Sequence, residues 1–358
     1  MGEKELRRLI PIQAEWSIPQ LQENLAVALE GSGPALSTTP MSVSEVEENI
    51  ALIVSTSGST GAAKSVLISS AALIASTNAC HKYLGAVPGD SWSLLLPTTH
   101  IAGLNVLIRA TALGTRVIDN RNTNNYVDAD FISIVPTQLQ KALSGDERLL
   151  EHLTAAEAVL VGASALSDKL KKEAASKHIK VITTYGMTEM CGGCVYNQKP
   201  LDGVEIKVNS EGLIQLTGPM LATGYLDEKG NNMEISNSGW FESNDLGEFV
   251  NGSLKVLGRT DDVINSGGVK ISLSDVEAQI NKILPTAEII TFSMPDDKWG
   301  QMLCLASTTA VDLVKIKAAL GPVLTPKSSF VFQSIPRTTL GKPDRIMAAE
   351  IAKKIETK

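Results

Sequence analysis

The alternation of short apolar runs with longer amphipathic segments is the sequence feature that most restricts how this chain can fold. Helices are predicted at 69–85, 102–114 and 165–177, where apolar residues recur at helical spacing and a glycine or a basic last turn closes the segment. Strands that alternate with helices build a mixed or parallel sheet covered by helices, which predicts an α/β fold. Apolar runs typical of strands occur at NIALIVS (49–55), SWSLLLP (91–97), FISIVP (131–136) and AVLVGA (158–163).

Two later changes of pattern divide the chain. From about Leu213, short glycine-punctuated segments predict a small antiparallel layer. After GRTDDVINSGG (258–268), strand and helix patterns alternate again, starting with a helix over 272–284 in which Ser274 and Glu277 have capping-box spacing. A chain of 358 residues is long enough for two domains. We predict a large mixed-sheet domain over 1–258, a hinge over 259–262 and a small α+β domain over 263–358.

Charge and cysteine content exclude several classes of partner. The formal net charge of −7 lacks the basic excess that binding to a phosphate backbone requires, so nucleic acid is not an expected partner. No signal peptide and no convincing membrane span is visible in the sequence. The four cysteines are too few and too scattered for a disulfide framework, which indicates a reducing compartment. We therefore expect a cytoplasmic protein.

A loop rich in glycine and hydroxyl residues follows the first predicted strand, where residues 55–64 read STSGSTGAAK. Its glycines permit a tight turn with accessible N–H groups, its hydroxyls add donors and its lysine adds positive charge, which together suit a phosphate. The candidate ligands are Ser57, Gly58, Ser59, Thr60, Gly61 and Lys64. An ordinary surface turn is the alternative. A Walker A loop is disfavoured because Ala63 replaces its second glycine and VLIS (66–69) predicts a following strand.

Six segments resemble, in the same order, the motifs of the adenylate-forming superfamily, which includes acyl-CoA synthetases, luciferases and the adenylation domains of peptide synthetases. Within that superfamily, LPTTHIAGLNVLIRATALG (96–114) is similar to a segment of o-succinylbenzoate-CoA ligases of menaquinone synthesis, mainly through Arg109 and its spacing. The six segments are STSGSTGAAK (55–64), TYGMTE (184–189), GPMLATGYLDE (218–228), GWFESNDLG (239–247), GRTDDVINSGGVKIS (258–272) and PRTTLGKPDR (336–345).

The resemblance implies a reaction in two steps. A small-molecule carboxylic acid attacks the α-phosphate of ATP and releases pyrophosphate, and the thiol of coenzyme A then displaces AMP from the acyl-adenylate. ATP and coenzyme A are the implied substrates and Mg²⁺ the implied metal ion. Catalysis of this kind depends mostly on positioning and on charge neutralisation at a crowded anionic centre.

The resemblance also implies roles for individual residues in ATP binding. The phosphate loop would hold the departing phosphates, Tyr185 would stack on adenine and Thr188 would bond the α-phosphate. Glu189 would hold Mg²⁺, and Asp245 would accept hydrogen bonds from the ribose hydroxyls, with Arg259 beside it. The other implied residues are Gly162, Ala163 and Ser164, which line the adenine, and Gly186 and Met187, which line the pocket.

Three residues are implied in binding the acid. His100 and Gly186 would line its pocket, and Arg109 would pair with the second carboxylate of a keto-diacid. His100 has the alternative of a helix-end histidine without a role, and Arg109 that of a structural ion pair.

The implied catalytic residue is Lys342, which would bridge the carboxylate and α-phosphate oxygens during adenylation. The small domain would be mobile and rotate about Asp261, after which Gly267 and Gly268 would admit the pantetheine of coenzyme A. Taken alone, Lys342 has the alternative of a solvated loop lysine. Cys191 and Cys194 form CGGC, for which we expect incidental packing because no second CxxC or CxxH follows.

Two departures from the pattern affect the interpretation. Ala102 replaces the serine that often follows the histidine of the o-succinylbenzoate ligases, and the phosphate loop begins at residue 55, so the first lobe is predicted to be shortened. We expect an AMP-forming acid–CoA ligase acting on o-succinylbenzoate. The alternatives are a ligase for another aromatic or medium-chain acid and a catalytically silent nucleotide-binding protein. A homodimer is compatible with the resemblance.

Overall fold

The computed structural model describes residues 5–56, 64–123, 125–227, 229–284, 288–338 and 343–356. Contacts divide the chain into two compact units. The first comprises Met1–Ser243 and Phe249–Lys255, and the second comprises Asn244–Glu248 and Val256–Lys358. The predicted boundary after residue 258 therefore lies close to the change of unit, although Asn244–Glu248 groups with the second unit. The hinge at 259–262 stays a prediction.

The α-helices and 3₁₀ turns of the described chain alternate with strands as the sequence pattern predicts. Short 3₁₀ turns occupy Thr188–Met190 and Thr260–Asp262. The helices are α1 (Ile18–Glu30), α2 (Ser70–Leu84), α3 (Ile101–Ala112), α4 (Pro136–Leu143), α5 (Glu147–Ala155), α6 (Asp168–Ser176), α7 (Leu273–Ile283), α8 (Leu313–Leu324) and α9 (Arg345–Glu356).

The strands fall into the sheets described below. They are β1 (Leu6–Pro11), β2 (Ala35–Ser37), β3 (Glu45–Glu47), β4 (Ile50–Thr56), β5 (Lys64–Ser69), β6 (Trp92–Leu94), β7 (Ile118–Asp119), β8 (Phe131–Ile134), β9 (Ala158–Val161), β10 (Val181–Met187), β11 (Gly192–Tyr196), β12 (Lys199–Pro200), β13 (Glu205–Val208), β14 (Leu213–Thr217), β15 (Gly224–Leu226), β16 (Asn232–Met233), β17 (Phe241–Val250), β18 (Ser253–Arg259), β19 (Val263–Ser266), β20 (Val269–Ser272), β21 (Ile289–Asp296), β22 (Gly300–Ser307) and β23 (Ser328–Val331).

Two seven-stranded sheets form most of the first unit. One has the order β16-β15-β5-β4-β2-β1-β3, with β1, β2 and β4 parallel and β5 antiparallel to β4. The other has the order β12-β11-β10-β9-β8-β6-β7, in which β6, β7, β8, β9 and β10 are parallel. Helix α3 lies in the apolar core of this unit, with most of its residues buried. The predicted mixed-sheet α/β architecture is confirmed.

The antiparallel layer predicted after Leu213 begins as the pair β13–β14, and the chain passes between the two units along β17 and β18. In the second unit, β20-β19-β22-β21 form an antiparallel sheet, and β23 adds to β22 in parallel. Helices α7 and α9 pack on this sheet around two clusters of buried side chains. The second unit is thus α+β, as expected.

Two details of the sequence prediction need correction. Helix α7 is capped by Ser272, whose hydroxyl accepts a hydrogen bond from the N–H of Asp275, so the predicted capping box of Ser274 and Glu277 is wrong. Glu277 instead accepts hydrogen bonds from Thr291, a contact from outside the helix that the local spacing could not reveal.

Candidate nucleotide-binding site

The parallel strands of the second sheet bring several predicted site residues to one edge. Residues 162–164 directly follow β9, and Thr188 and Glu189 directly follow the neighbouring strand β10. Residues 95–100 follow β6 in the same sheet. Because these strands run in one direction, their carboxyl ends meet at the same edge, which is where ligands bind in sheets of this kind.

Two glycines at this edge are closely approached by neighbouring atoms, Gly186 by backbone and Gly162 by the Thr184 side chain. A Cβ on Gly186 would lie 1.8 Å from the carbonyl oxygen of Gly192, where β10 and β11 pair through a bulge. A Cβ on Gly162 would lie 2.5 Å from Oγ1 of Thr184. Ala163, the next residue, has a left-handed φ of 72° and is exposed together with Ser164. The predicted adenine-lining segment is therefore a tight, accessible turn, while its contact with adenine stays a prediction.

The carboxylate of Glu189 is held by a tyrosine that the sequence interpretation did not single out. Tyr225 donates its hydroxyl hydrogen to Oε1 of Glu189 over 2.9 Å, and both side chains are half-buried. The Nζ of Lys64 lies 5.2 Å from the centre of the Tyr225 ring. Burial first, and then the nearby Glu189 carboxylate, raises the pKa of Tyr225 well above its ordinary value. The hydroxyl therefore stays protonated at neutral pH and acts as a donor.

The predicted phosphate loop connects two antiparallel strands. Thr56 of β4 pairs with Lys64 of β5, and the pairing continues to the far end of both strands. This strand–loop–strand arrangement rules out a Walker A site, in which the loop opens a helix. Of the predicted phosphate ligands, Lys64 is described and exposed. Ser57, Gly58, Ser59, Thr60 and Gly61 lie outside the described residues.

Helix α3 begins at this edge of the sheet with His100 as its N-cap residue. The segment before it packs closely, since a Cβ on Gly103 would lie 2.2 Å from the carbonyl oxygen of Pro97. One turn further along, Asn105 donates a hydrogen bond of 2.8 Å to the carbonyl oxygen of Cys191, just after Glu189. Gly103 thus serves close packing, and Asn105 fixes the turn that follows Glu189.

Arg109 lies farther along α3 and is buried, with 4% of its surface exposed. Its Nη2 donates to the Tyr196 hydroxyl over 3.3 Å, and its guanidinium lies 5.2 Å from the centre of the Trp92 ring. Its Nε has no hydrogen-bond partner among the described residues. The alternative of a structural ion pair is therefore not what the described contacts show. Binding of a substrate carboxylate by Arg109 stays a prediction.

The second unit holds a separate cluster of predicted site residues. Arg259 donates a hydrogen bond of 3.0 Å to buried Asp245 and two of 2.8 Å to the carboxylate of Asp261. One guanidinium thus joins the predicted ribose-binding carboxylate to the predicted hinge residue. Gly267 and Gly268 form the exposed turn between β19 and β20, and both have a left-handed φ.

Lys342 lies outside the described residues, but the two sides of its segment are described. Arg337 and Pro343 form an antiparallel bridge, and the N–H of Asp344 donates to the carbonyl oxygen of Pro336. Arg345 then begins α9 and is anchored by hydrogen bonds to Asp262 and Glu277. The described residues on the two sides of Lys342 are therefore held to each other and to the second unit.

The cysteines give no support to redox or zinc chemistry. All four are buried free thiols, and burial raises the pKa of Cys191 and raises that of Cys194 to about 12. Reactive thiols have a low pKa and are accessible. Cys191 and Cys194 are instead buried in the hydrophobic core of the first unit, which agrees with the expected packing role.

No group of three or more histidine, cysteine, aspartate or glutamate residues suited to a metal ion is found in the described ranges. Over the same ranges, none of the helices combines the length and apolar character needed to cross a bilayer.

Comparison with known proteins places these observations in a family. The model of the AMP-binding enzyme family matches residues 4–226. A Mycobacterium tuberculosis protein named "Probable 2-succinylbenzoate–CoA ligase" is 33% identical over 92% of this chain and 93% of its own length. A Lactococcus lactis 2-succinylbenzoate–CoA ligase is 29% identical over 83% of this chain and 70% of its own length.

Solved structures share the fold. MenE of Bacillus subtilis, in complex with the acyl-adenylate intermediate OSB-AMP, is 24% identical and superposes with a TM-score of 0.73 over 95% of this chain and 82% of its own. MenE of E. coli, with a bound analogue of OSB-AMS, is 22% identical with a TM-score of 0.71 over 97% of this chain and 82% of its own. Because the family model matches more than half of the sequence and the mycobacterial relative matches nearly all of it, the chain belongs to the AMP-binding enzyme family.

Proposed function

We propose that this protein is an AMP-forming acid–CoA ligase that converts o-succinylbenzoate to its coenzyme A thioester through an acyl-adenylate. The observation that carries the proposal is the edge of the second sheet, where residues 162–164, Thr188 and Glu189 meet. The similarity to 2-succinylbenzoate–CoA ligases over most of the chain supports both the reaction and the acid.

The residues at this edge fit a magnesium ion bound together with ATP. Mg²⁺ prefers oxygen ligands and is commonly held by one or two carboxylates plus substrate phosphates, so no all-protein cage is required. Glu189 offers a half-buried carboxylate and Thr188 a neighbouring hydroxyl. When bound, the ion would neutralise negative charge on the phosphates. ATP bound with a magnesium ion in MenE of Bacillus subtilis supports this assignment.

The residues around this sheet edge are proposed to bind the other parts of the substrates. Tyr185, Gly186 and Met187, in the last part of β10, are proposed to line the adenine and the acid, with the turn 162–164 on the neighbouring strand. Lys64 and the loop before it are proposed to hold the departing phosphates, where a fixed positive charge favours a polyanion.

The acid is proposed to enter beside His100, at the start of α3. Arg109 is the proposed partner of its second carboxylate. A buried guanidinium without an acidic partner among the described residues supports that role, because an uncompensated buried charge is costly.

In the second unit, Asp245 is proposed to bind the ribose hydroxyls, Arg259 to hold that carboxylate, and Asp261 to act as the hinge. Gly267 and Gly268 are proposed to admit the pantetheine, because a bare backbone leaves room for it. Lys342 is the proposed catalytic cation.

The test of this function is exchange of labelled pyrophosphate into ATP across a panel of acids. We expect exchange that depends on o-succinylbenzoate and is weak or absent with aromatic monoacids and medium-chain acids. Exchange with one of those acids alone would replace the substrate while keeping the reaction. No acid-dependent exchange with any member of the panel would contradict the ligase assignment and favour a silent nucleotide-binding protein.

The variant Lys342→Ala separates the two steps. It should lower exchange by at least 100-fold while leaving thioester formation from supplied acyl-adenylate within a few-fold of the parent, because the cation is needed at the α-phosphate only during adenylation. Equal losses in both steps would show that Lys342 does not act specifically in adenylation. Lys353→Ala, in α9, is the matched control because it removes one lysine from the same unit.

A further inference from the structure

We propose that Tyr225 is the positioning residue for the metal-binding carboxylate: its hydroxyl fixes the orientation of Glu189, and its ring fixes the Lys64 ammonium. The inference builds on the proposed function, because it assigns a residue that prepares the site for Mg²⁺. Nothing in the sequence motifs assigns this role, since Tyr225 lies 36 residues from Glu189 along the chain.

The hydrogen bond has the geometry of a strong, charge-assisted contact. The Tyr225 hydroxyl lies 2.9 Å from Oε1 of Glu189, and among the described residues it is the hydrogen-bond donor to that carboxylate. A bond to an ionised acceptor is about twice as strong as one between neutral groups. It therefore holds the half-buried carboxylate in one rotamer instead of several.

The chemistry of the donor suits a metal ligand. A phenol orients a carboxylate while leaving its negative charge uncompensated, whereas a lysine or arginine would neutralise the charge that attracts the cation. Lys64 approaches the face of the Tyr225 ring at 5.2 Å, an arrangement favoured by the electrostatics of the ring face. One aromatic side chain thus places an anion at its hydroxyl and a cation at its face.

The backbone around Tyr225 makes this placement rigid. Strand β15 pairs with β5, with Tyr225 opposite Val66 and Leu226 opposite Ser65. Side chains two residues apart on a strand share a face, which puts Lys64 on the same face as Val66 and next to Tyr225. On the other side, the N–H of Ala222 donates to the carbonyl oxygen of Glu189 over 2.8 Å. The segment carrying Tyr225 is therefore bonded both to the strand that leaves the phosphate loop and to the turn that carries Glu189.

Tyr225→Phe tests the proposal because it removes the hydroxyl and keeps the ring beside Lys64. Mn²⁺ replaces Mg²⁺ as the probe, and its binding to the full-length protein with a non-hydrolysable ATP analogue is titrated by electron paramagnetic resonance. Loss of a residue that orients a metal ligand typically lowers metal affinity 10- to 100-fold. We expect Tyr225→Phe to weaken Mn²⁺ binding by about 10-fold and to raise the Mg²⁺ requirement for pyrophosphate exchange similarly, with the thermal midpoint of unfolding unchanged within about 2 °C.

Tyr83→Phe is the matched control. Its hydroxyl accepts a hydrogen bond from Asn197 and its side chain is exposed, so the same substitution should leave Mn²⁺ binding unchanged. Mn²⁺ affinity in Tyr225→Phe equal to that of the parent, or an equal loss in Tyr83→Phe, would overturn the proposal. So would the absence of any nucleotide-dependent Mn²⁺ site in the parent. If the parent binds Mn²⁺ but shows no acid-dependent pyrophosphate exchange with any acid of the panel, the proposed function fails. The Mn²⁺ comparison then still decides the role of Tyr225.

Discussion

Arg109 places a buried positive charge within the largely apolar helix α3. Its surroundings come from three separate elements, with Trp92 on β6, Tyr196 on β11 and Cys80 on α2. Helical periodicity says which face of α3 is buried, but only the order of the strands says what lies against that face. The identity of the partners was therefore beyond the sequence.

The same cluster makes His81 a source of acid sensitivity. Burial first, and then the charge of Arg109, lowers the pKa of His81 from 6.5 to about 4. The unfolded chain therefore takes up this proton at higher pH than the folded chain, so stability falls as pH drops below 6.5 and the loss is complete near pH 4. The loss attributable to His81 is roughly 3 kcal/mol. Urea unfolding measured from pH 7 to pH 4 should show it.

His81→Leu removes the titrating group and places an apolar side chain beside Trp92. We expect this variant to lose a large part of the pH dependence below pH 6.5. His178→Asn is the control, because His178 is exposed and has a left-handed φ of 61°, which asparagine tolerates. A pH profile of His81→Leu that matches the parent would assign the acid sensitivity elsewhere.

At the scale of elements, the sequence predicts those helix and strand boundaries that are set by neighbouring residues. The predicted helix at 69–85 is α2, Ser70–Leu84, because Ser69 caps its start and Gly85 ends it in a left-handed conformation. The predicted strand at 91–97 is shorter, with β6 limited to Trp92–Leu94. Beyond Leu94 the chain leaves the sheet toward α3, and an apolar composition alone does not mark that exit.

The sequence likewise predicts only part of the candidate site. The resemblance implied roles for residues 162–164 and Glu189, and the parallel strands β9 and β10 of the structure bring both to one sheet edge. Tyr225 lies within GPMLATGYLDE, but its contact with Glu189 depends on β15 pairing with β5 across a long separation in sequence, so the motif alone assigns it no role. Pairings of that kind are set by tertiary structure and leave no local signal.

Arg345 joins three elements of the second unit and provides a test at this scale. It is mostly buried, and donates to Asp262 over 3.1 Å, to Glu277 over 2.7 Å and to the backbone of Thr291. Removing one member of a buried ionic group leaves the others uncompensated and typically costs about 3–5 kcal/mol. In Arg345→Met, hydrogen exchange measured on the full chain should therefore speed up in peptides covering α7 and β21.

Lys82→Met is the control for Arg345→Met. Lys82 forms an ion pair of 2.8 Å with Asp202, but both side chains are more than half exposed, and such pairs contribute little. This variant should leave exchange in α7 and β21 unchanged. Unchanged exchange in Arg345→Met would mean that its ionic contacts do not stabilise the second unit.

At the scale of the whole molecule, each unit has its own hydrophobic core. Buried side chains of the first unit cluster on α3 and the two large sheets, and those of the second cluster between β21, β22 and the helices that cover them. A unit with a separate core can unfold in a separate transition. Three of the buried thiols lie in the first unit, and Cys304 lies in the second.

The distribution of thiols turns this division into a measurement. Native protein should react with fewer than one equivalent of a thiol reagent such as DTNB, because all four side chains are buried, and fully denatured protein should react with four. With pulsed labelling across a urea gradient, we expect Cys304 to become reactive in a different transition from Cys80, Cys191 and Cys194. The variant Cys304→Ser should remove one transition and leave the other at the same urea concentration. Simultaneous labelling of all four thiols would instead show that the two cores unfold as one cooperative structure, because a labelled thiol reports that the core around it has opened.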